Sequence, residues 1–345
     1  MSNICLNGGM EFRAARFEAG RLMMIGWEGS SAAEAMELLQ EFQPFGMVFF
    51  KRNYPGSPDQ LRFDLHMMTK LGRALRQGPF LTAIDNEGGT VRRLPEPFIQ
   101  LPSARESALR GVEAVKNEAL ASGKELAYTG FNVNLAPVLD VGSPGSYMDS
   151  RSFGEEADFV IKNAQAFREG FRQAGLLCCG KHFPGLGAAT VDPHDVLPTV
   201  SLSLAEMNKH LAPFKALIDQ GLEMVMTTHC LYPAWDANRP ATFSPKVVGV
   251  LKQTLGFKGP LLTDDLQMGA VTNNLQPGEA AVAAFEAGHD LILMCRDRKL
   301  IKGAFDALVG ALASGRIKRD RLEDARERLQ KLTPILADPQ IFTQA

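Results

Sequence analysis

Cysteine is scarce in this chain of 345 residues and follows no framework spacing. The five cysteines are an odd number and include no Cys-x-x-Cys pair: Cys5, Cys178, Cys179, Cys230 and Cys295. This pattern argues against a disulfide-stapled secreted domain and against a cysteine zinc site. We expect reduced, mostly buried thiols in a cytosolic protein.

An excess of charge of one sign and long apolar runs are also missing. The net charge is −2, so neither nucleic acid nor a membrane surface is an expected partner. No apolar run reaches the roughly 20 residues that span a bilayer. Residues 1–17, MSNICLNGGMEFRAARF, contain no apolar segment of the kind found in signal peptides. We therefore expect a cytoplasmic location.

What the sequence does contain is a series of short apolar runs: 22–27, 46–50, 80–85, 133–141, 176–183, 224–229, 260–265 and 291–295. Most are continuous, which is typical of strands buried on both faces of a parallel sheet. Amphipathic segments separate them, near 31–42, 61–75, 112–128, 156–174, 203–218, 246–255, 279–287 and 299–314. Ser57 with Gln60 and Ser203 with Glu206 predict capping boxes at two helix starts.

Strands alternating with helices in this way predict an α/β protein with a closed (β/α)8 barrel. An open doubly wound sheet would usually carry a glycine-rich phosphate turn after its first strand, and the segment GWEGSS does not match that pattern. We find no short-period repeat, low-complexity tract or linker. We therefore predict a single domain over residues 1–345, with a surface helix from about residue 317.

Ionisable side chains follow the predicted strands at their carboxyl ends, where barrel enzymes place their chemistry. Asp85 ends the third strand, and Lys181 and His182 end the fifth. His229 ends the sixth strand and Asp264 the seventh. Taken singly, Asp264 could cap the next helix and His229 could be a hydrogen-bonded structural histidine. Their joint occurrence at one rim of the barrel indicates a polar site.

The segment GKHFPGLGAATVDPHDVLP, residues 180–198, is too rich in glycine and proline for a helix or a central strand. It nevertheless carries His182, His194 and Asp192. A metal site built from these three residues with His229 and Asp264 is an alternative interpretation. The spacings do not favour it, because the first strand has no His-x-His pair and no His-x-x-x-His helix occurs.

Five segments now resemble a known family when they are taken together in this order: AIDNEGGTVRRL (83–94), NLAPVLDVG (134–142), SRSFGEE (150–156), GKHFPGLGAATVDPH (180–194) and GFKGPLLTDDLQMGA (256–270). From about residue 20 to 300 the chain resembles family 3 glycoside hydrolases of the single-domain bacterial β-N-acetylglucosaminidase branch. The resemblance implies a retaining exo-glycosidase that acts on terminal β-linked N-acetylglucosamine. In Gram-negative bacteria that branch typically works in the cytoplasm on recycled cell-wall muropeptides.

The resemblance also implies roles for individual residues. The nucleophile of the TDDL motif falls on Asp264, and the acid/base pair of the branch falls on His194 and Asp192. The sugar-binding positions of the family fall on Asp85, Arg93, Arg151, Lys181 and His182. We expect a monomer that binds a small carbohydrate and needs no metal or other cofactor.

The proposed acid/base residue is an imidazole, whose ordinary pKa of about 6.5 lies near neutral pH. Asp192 would fix its tautomer, as the orienting member of a triad does. The loop that carries the pair is expected to be a lid with hinges at Gly185 and Gly187. At Leu186 the chain departs from the family, which commonly has histidine there.

Four other functions stay open at this stage. A neutral histidine does not repel phosphate, so a phosphorylase is possible on the same residues. A β-glucosidase would differ only in loop contacts with the sugar. A metal-dependent barrel hydrolase and a catalytically inactive sugar-binding protein belong to other classes, although the joint retention of Asp264, Asp192 and His194 argues against an inactive protein.

Overall fold

Eight parallel strands form the centre of the molecule. The computed structural model describes residues 10–76, 78–142, 145–193, 195–333 and 336. The strands within these ranges are β1 (Met23–Ile25), β2 (Gly46–Phe49), β3 (Leu81–Ile84), β4 (Asn86–Gly88), β5 (Val91–Arg92), β6 (Val133–Asn134), β7 (Leu177–Phe183), β8 (Met224–Thr227), β9 (Leu261–Leu262) and β10 (Ile292–Met294).

The order of the parallel strands is β10-β1-β2-β3-β6-β7-β8-β9, and a bridge between Leu262 and Leu291 joins the two ends into a barrel. Each of the eight predicted apolar runs contains one barrel strand, so the predicted (β/α)8 fold is confirmed. The runs are continuous because both faces of each strand are covered. Cys178 belongs to the apolar cluster between strands and helices, whereas Cys179 belongs to the cluster that fills the barrel.

Helices surround the strands and follow most of the predicted amphipathic segments. Those in the described ranges are α1 (Phe12–Arg21), α2 (Ala32–Phe42), α3 (Pro58–Arg76), α4 (Ala104–Leu109), α5 (Val112–Thr129), α6 (Ala157–Gln173), α7 (Leu204–Asp219), α8 (Pro245–Gly249), α9 (Gly269–Thr272), α10 (Pro277–Ala287), α11 (Arg298–Ala313) and α12 (Arg319–Gln330). A π-helical turn, Val250–Thr254, continues α8. No helix in the described part of the chain is both long and apolar enough to cross a membrane.

The two predicted capping boxes have different outcomes. At the start of α7 the Ser203 and Glu206 side chains bond each other's backbone N–H groups, as predicted. At the start of α3 the Gln60 N–H donates to Ser57 Oγ at 3.4 Å, but the Gln60 side chain donates to Asp64 instead. Only half of that second box therefore forms.

One strand end differs from the prediction. The fourth barrel strand, β6, covers only two residues of the predicted run, and beyond it an isolated bridge joins Val138 to Lys181 of β7. β7 ends at Phe183, where the predicted run 176–183 ends, so the exclusion of a strand from the 180–198 segment fails only for its first four residues. Between Gly180 and Phe183 the register of β7 against β8 shifts by one residue. Lys181 and His182 are therefore strand residues, as the predicted run has them.

Candidate active site

A cavity of about 380 Å³ opens at the carboxyl end of the barrel strands. Its volume lies in the range of about 300–1,000 Å³ that is usual for small-molecule sites. Ionisable side chains from β3, the β4–β5 hairpin, β7 and the end of β9 line its polar side. The apolar walls include Phe50, Leu135, Met226, Met268 and Leu293. The predicted polar rim is therefore a real pocket.

Lys181 lies at the centre of the polar side and is only 2% exposed. Its Nζ is 2.7 Å from Asp85 Oδ1 and 2.7 Å from Glu87 Oε1. The second oxygen of Asp85 accepts a hydrogen bond from Arg93 Nη2 at 3.0 Å. The buried ammonium thus has the carboxylate partners that its desolvation requires.

The ion pairs continue from Glu87 to the neighbouring loop. Arg151 donates to both oxygens of Glu87, at 2.8 and 2.9 Å, in the bidentate geometry that makes such pairs strong. Arg151 Nη2 also lies 3.4 Å from His182 Nε2, and His182 Nδ1 lies 2.8 Å from Asp140 Oδ2. This arrangement assigns a neutral imidazole that accepts at Nε2 and donates at Nδ1.

The carboxylates and the cations of these ion pairs favour each other's charged forms. Burial opposes ionisation of Asp85, but the charges of Lys181 and Arg93 outweigh it and hold its pKa below the usual range. Burial likewise acts against Glu87, and Arg151 and Lys181 nevertheless lower its pKa to about 2. The pKa of Lys181 is raised in spite of burial, because both carboxylates favour its charged form.

Asp264 also lines the pocket, just after the end of β9, and is half-buried. Its Oδ1 accepts a hydrogen bond of 2.8 Å from the Asp265 N–H. The next helix, α9, begins at Gly269 with Met268 as its N-cap, so the interpretation of Asp264 as a helix cap is wrong. A carboxylate with one fixed oxygen faces the cavity here.

Asp265 faces the same cavity but is bonded differently. Its Oδ1 accepts hydrogen bonds from the N–H groups of Gln267 and Cys295, at 3.0 and 3.1 Å. Burial raises its pKa to about 6. Asp265 therefore holds the ends of β9 and β10 together beside Asp264.

The predicted acid/base loop covers one side of the pocket. Pro193 lines the cavity, and its carbonyl oxygen accepts from the Ala270 N–H at 3.2 Å. The Tyr147 hydroxyl is hydrogen-bonded to Asp192. His194 lies outside the described residues. Hydrogen bonds thus connect the loop to α9 through Pro193 and to Tyr147 through Asp192.

Leu186 and Gly187, the second of the two predicted hinge residues, are firmly packed. Leu186 is buried, lines the pocket and donates its N–H to Asp140 Oδ1 at 2.5 Å. A Cβ on Gly187 would lie 1.9 Å from the Val141 carbonyl oxygen. Gly187 is therefore required for a close backbone approach, a role that the hinge interpretation did not include.

The structure brings six of the predicted site residues to one cavity: Asp85, Arg93, Arg151, Lys181, His182 and Asp264. Asp140 and Asp265 stand at the ends of the predicted fourth and seventh strands, but sequence reasoning assigned no role in the site to them or to Glu87. Glu87 lies within the quoted segment AIDNEGG, and its charge at a strand end was the available signal.

His229 takes the structural role that its plainer interpretation gave it. It is buried, with Nδ1 2.6 Å from Thr242 Oγ1 and Nε2 3.0 Å from the Asp265 carbonyl oxygen. Among the residues with described positions, no group of three or more His, Cys, Asp and Glu side chains could hold a metal ion.

Comparison with known proteins gives consistent matches. Residues 16–332 match the model of the glycosyl hydrolase family 3 N terminal domain. A β-hexosaminidase of Photobacterium profundum is 37% identical over 298 residues, which cover 84% of this chain and 85% of that protein. A β-hexosaminidase of Methylococcus capsulatus is 35% identical over 308 residues, which cover 87% and 90%.

A solved structure gives the same result. It is a glycoside hydrolase family 3 β-N-acetylglucosaminidase from Paenibacillus sp. str. FPU-7, with a TM-score of 0.89 and 36% identity. The match covers 93% of this chain but only 62% of that protein, so this chain spans less than two thirds of that larger relative.

Proposed function

The chain belongs to glycosyl hydrolase family 3, and on that premise we propose that it is a retaining exo-β-N-acetylglucosaminidase. The observation that carries the proposal is the pocket itself. A carboxylate, Asp264, lines the same cavity as a group of ion-paired side chains that includes Lys181 and Asp85. The choice of N-acetylglucosamine as the sugar rests on the names of the relatives, because both β-hexosaminidases and the β-N-acetylglucosaminidase match most of this chain.

In the proposed first step, Asp264 attacks the anomeric carbon and forms a covalent glycosyl-enzyme. The bond to the aglycone breaks, and the leaving oxygen takes a proton from the His194 imidazolium. The Asp265 N–H holds one oxygen of Asp264, which orients the other for attack. A rigid position directly after a barrel strand suits this role, because a nucleophile must be held close to the reacting carbon.

In the second step, His194 removes a proton from water, which attacks the same carbon and releases Asp264. Asp192 accepts a hydrogen bond from the ring and fixes its tautomer. The resemblance to the family assigns these two roles. Pro193, between the two residues, lines the cavity and so supports a position of the pair at the pocket.

The sugar-binding residues in this proposal are Asp85, Arg93, Arg151, Lys181 and His182. Their ion pairs hold the polar groups in place before the sugar arrives, so binding requires little reorganisation. Charged groups also make the stronger and more directional hydrogen bonds to hydroxyls. The buried Nε of Arg93 has no hydrogen-bond partner among the described residues, which leaves a donor available beside the pocket. A pocket lined by these five polar side chains suits a terminal sugar and hence exo-cleavage.

Hydrolysis is favoured over phosphorolysis by the charge of the pocket. Lys181, Arg93 and Arg151 are each paired with a carboxylate. No cation among the described lining residues remains without a carboxylate partner to attract phosphate. Water is therefore the proposed acceptor.

The wider setting is proposed as well. We propose a single-domain monomer that works in the cytoplasm on cell-wall muropeptides. The proposed substrate and compartment are those that the resemblance to the family implies. The described cysteines support a reducing compartment, since Cys178, Cys179, Cys230 and Cys295 are unpaired and buried.

The test is release of p-nitrophenol from matched β-N-acetylglucosaminide and β-glucoside substrates, with chelator present and with or without phosphate. The proposal predicts fast cleavage of the acetamido sugar alone, at a rate that phosphate does not change, with free N-acetylglucosamine as the product. A sugar phosphate as the product would identify a phosphorylase. Loss of activity with chelator would identify a metal enzyme, and no cleavage of either substrate would favour a sugar-binding protein.

A further inference from the structure

A second cavity, of about 560 Å³, lies at the end of the barrel opposite the candidate active site. Leu22 and Phe45, which line it, directly precede β1 and β2. Pro79 lies just before β3, and Leu329 belongs to α12, which lies below the barrel. We call it the basal cavity, because it lies where the barrel strands begin. It shares no residue with the proposed catalytic pocket.

Arg76, at the end of α3, is the most unusual side chain in the basal cavity. It is only 4% exposed, and its Nη1 has no hydrogen-bond partner among the residues that the structure describes. Its Nε donates to the Pro79 carbonyl oxygen at 3.2 Å, and its guanidinium lies 4.2 Å from the centre of the Phe45 ring. A buried guanidinium without a carboxylate partner is costly, because desolvation is not offset by an opposite charge.

The surroundings of Arg76 add positive charge. Arg21 and Arg326 also line the cavity, and no Asp or Glu is among the described lining residues. Glu18 is the nearby carboxylate, but Arg326 occupies both of its oxygens, at 2.7 and 3.0 Å. The Arg21 guanidinium rests on the Phe17 ring. Burial first and Arg21 second lower the pKa of Arg76 to about 9, which reflects the same shortage of negative charge.

We propose that the basal cavity binds a small dianion of the phosphate class, with Arg76 as its central contact. Among the described residues, the three guanidiniums and the Glu18 carboxylate leave two positive charges, which a dianion would neutralise. Guanidinium N–H groups match phosphate oxygens in geometry as well as in charge. The Gln330 and Thr333 side chains add polar groups to the wall. The cavity has room for inorganic phosphate or for the phosphate group of a small monoester.

This site does not depend on the proposed catalytic function, because no residue of the glycosidase pocket takes part in it. A ligand that binds the folded state and not the unfolded chain raises the melting temperature. We expect the Tm of the wild type to rise by roughly 2–4 °C between zero and about 20 mM phosphate, with ionic strength held constant by chloride.

Two variants identify the site. Arg76→Met should abolish the phosphate-dependent rise, and without phosphate its Tm should equal or exceed that of the wild type, since an uncompensated buried charge is removed. Arg73→Met is the matched control, because Arg73 lies on the same helix but is exposed. The Arg73→Met variant should show the same phosphate-dependent rise in Tm as the wild type. If Arg76→Met does not fold, Arg21→Met provides the same test.

Calorimetric titration separates the two sources of the anion. Glucose 6-phosphate that binds at least about tenfold more tightly than inorganic phosphate would identify a monoester site, and equal affinities a phosphate site. The proposal is overturned if phosphate does not raise the wild-type Tm more than chloride does. It is also overturned if the rise persists undiminished in Arg76→Met, as binding in the catalytic pocket would produce.

Discussion

Lys181 holds two carboxylates at once, and this contact determines the charge state of the proposed sugar-binding surface. Asp85 and Glu87 repel each other, and a single ammonium 2.7 Å from each of them allows both to ionise. Arg93 and Arg151 complete the neutralisation from either side. These five side chains are therefore ionised at neutral pH and held in place by their ion pairs.

Glu87 should make the stability of the protein sensitive to acid. Its pKa of about 2 lies below the ordinary 4.5, so its ionisation stabilises the fold fully above pH 4.5, and this contribution is lost as the pH falls towards 2. A shift of this size corresponds to roughly 3 kcal/mol. We expect Glu87→Gln to lose correspondingly less unfolding free energy than the wild type over that range, measured by denaturant titration at stepped pH.

The control for that experiment is Glu323→Gln, because Glu323 pairs with Arg319 on the exposed face of α12. It should keep the pH dependence of the wild type, since exposed ion pairs contribute little. A Glu87→Gln variant whose stability falls as steeply with acid as that of the wild type would show that Glu87 is not held ionised by its neighbours.

Asp265 should show the opposite dependence. Its pKa is raised by burial from 3.8 to about 6, so the stability linked to its neutral form is fully present below pH 3.8 and lost as the pH rises through 6. Asp265→Asn removes the charge and keeps the acceptor oxygen for both N–H groups. We expect the variant to gain stability relative to the wild type by roughly 3 kcal/mol between about pH 4 and pH 8.

Thermal unfolding of the variant and the wild type across that pH range measures the difference. Asp265→Ala is the matched comparison, because it removes the acceptor as well and should be less stable than Asp265→Asn at every pH. A stability difference between Asp265→Asn and the wild type that does not change with pH would contradict the raised pKa.

At the level of elements, the barrel strands were predictable because burial on both faces leaves continuous apolar runs. The β4–β5 hairpin was not, because its strands are three and two residues long, with a register shift between them. Such a hairpin has no sequence periodicity, and only its pairing carries Glu87 into the pocket. The contact between Asp140 and His182 was not predictable for a related reason, since it depends on the irregular chain after Pro137.

The loop after β7 depends on Gly187. A Cβ there would lie 1.9 Å from the Val141 carbonyl oxygen, so Gly187→Ala should displace the loop from the pocket. We expect kcat/KM on the acetamido substrate to fall by roughly 10- to 100-fold, because small displacements of catalytic groups reduce rates strongly.

The control is Gly303→Ala on the exposed face of α11, where no atom lies within 4 Å of the added methyl group. It should keep wild-type kcat/KM and gain up to about 1 kcal/mol of unfolding free energy. Wild-type kcat/KM in Gly187→Ala would contradict the role of this close approach in positioning the loop.

At the scale of the whole molecule, the barrel closes where β9 meets β10, and Asp290 is buried at this seam. One oxygen accepts from the Leu261 N–H at 2.9 Å, and the other pairs with Lys252 and Arg321 at 3.0 and 2.9 Å. Asp290 thus joins the seam to α12 and to the π-helical turn after α8.

Asp290→Asn should therefore destabilise the fold by about 3 kcal/mol, because it leaves two cations next to a neutral amide. Urea unfolding measures the loss. Asp306→Asn, which breaks an exposed i,i+4 pair with Lys302, should cost less than about 0.5 kcal/mol. If Asp290→Asn were as stable as Asp306→Asn, the seam would not depend on this carboxylate.

The two ends of the barrel differ in how far they could be predicted. At the carboxyl end, motifs at strand ends identified six of the pocket residues, because strand order brings them together. At the amino end, Arg21, Arg76 and Arg326 belong to α1, α3 and α12. Only closure of the barrel makes them neighbours, and no local pattern in the sequence indicates it.

The central claim is that Asp264 bonds covalently to a terminal N-acetylglucosamine during turnover. The most direct measurement is intact-mass analysis and peptide mapping after reaction with a fluorinated, slowly hydrolysed N-acetylglucosaminyl donor. The account predicts one adduct per chain, on Asp264, and none on a folded Asp264→Asn variant whose kcat has fallen by roughly 10³-fold or more. Asp306→Asn should be labelled like the wild type. An adduct on another residue, or near wild-type turnover by Asp264→Asn, would contradict the account.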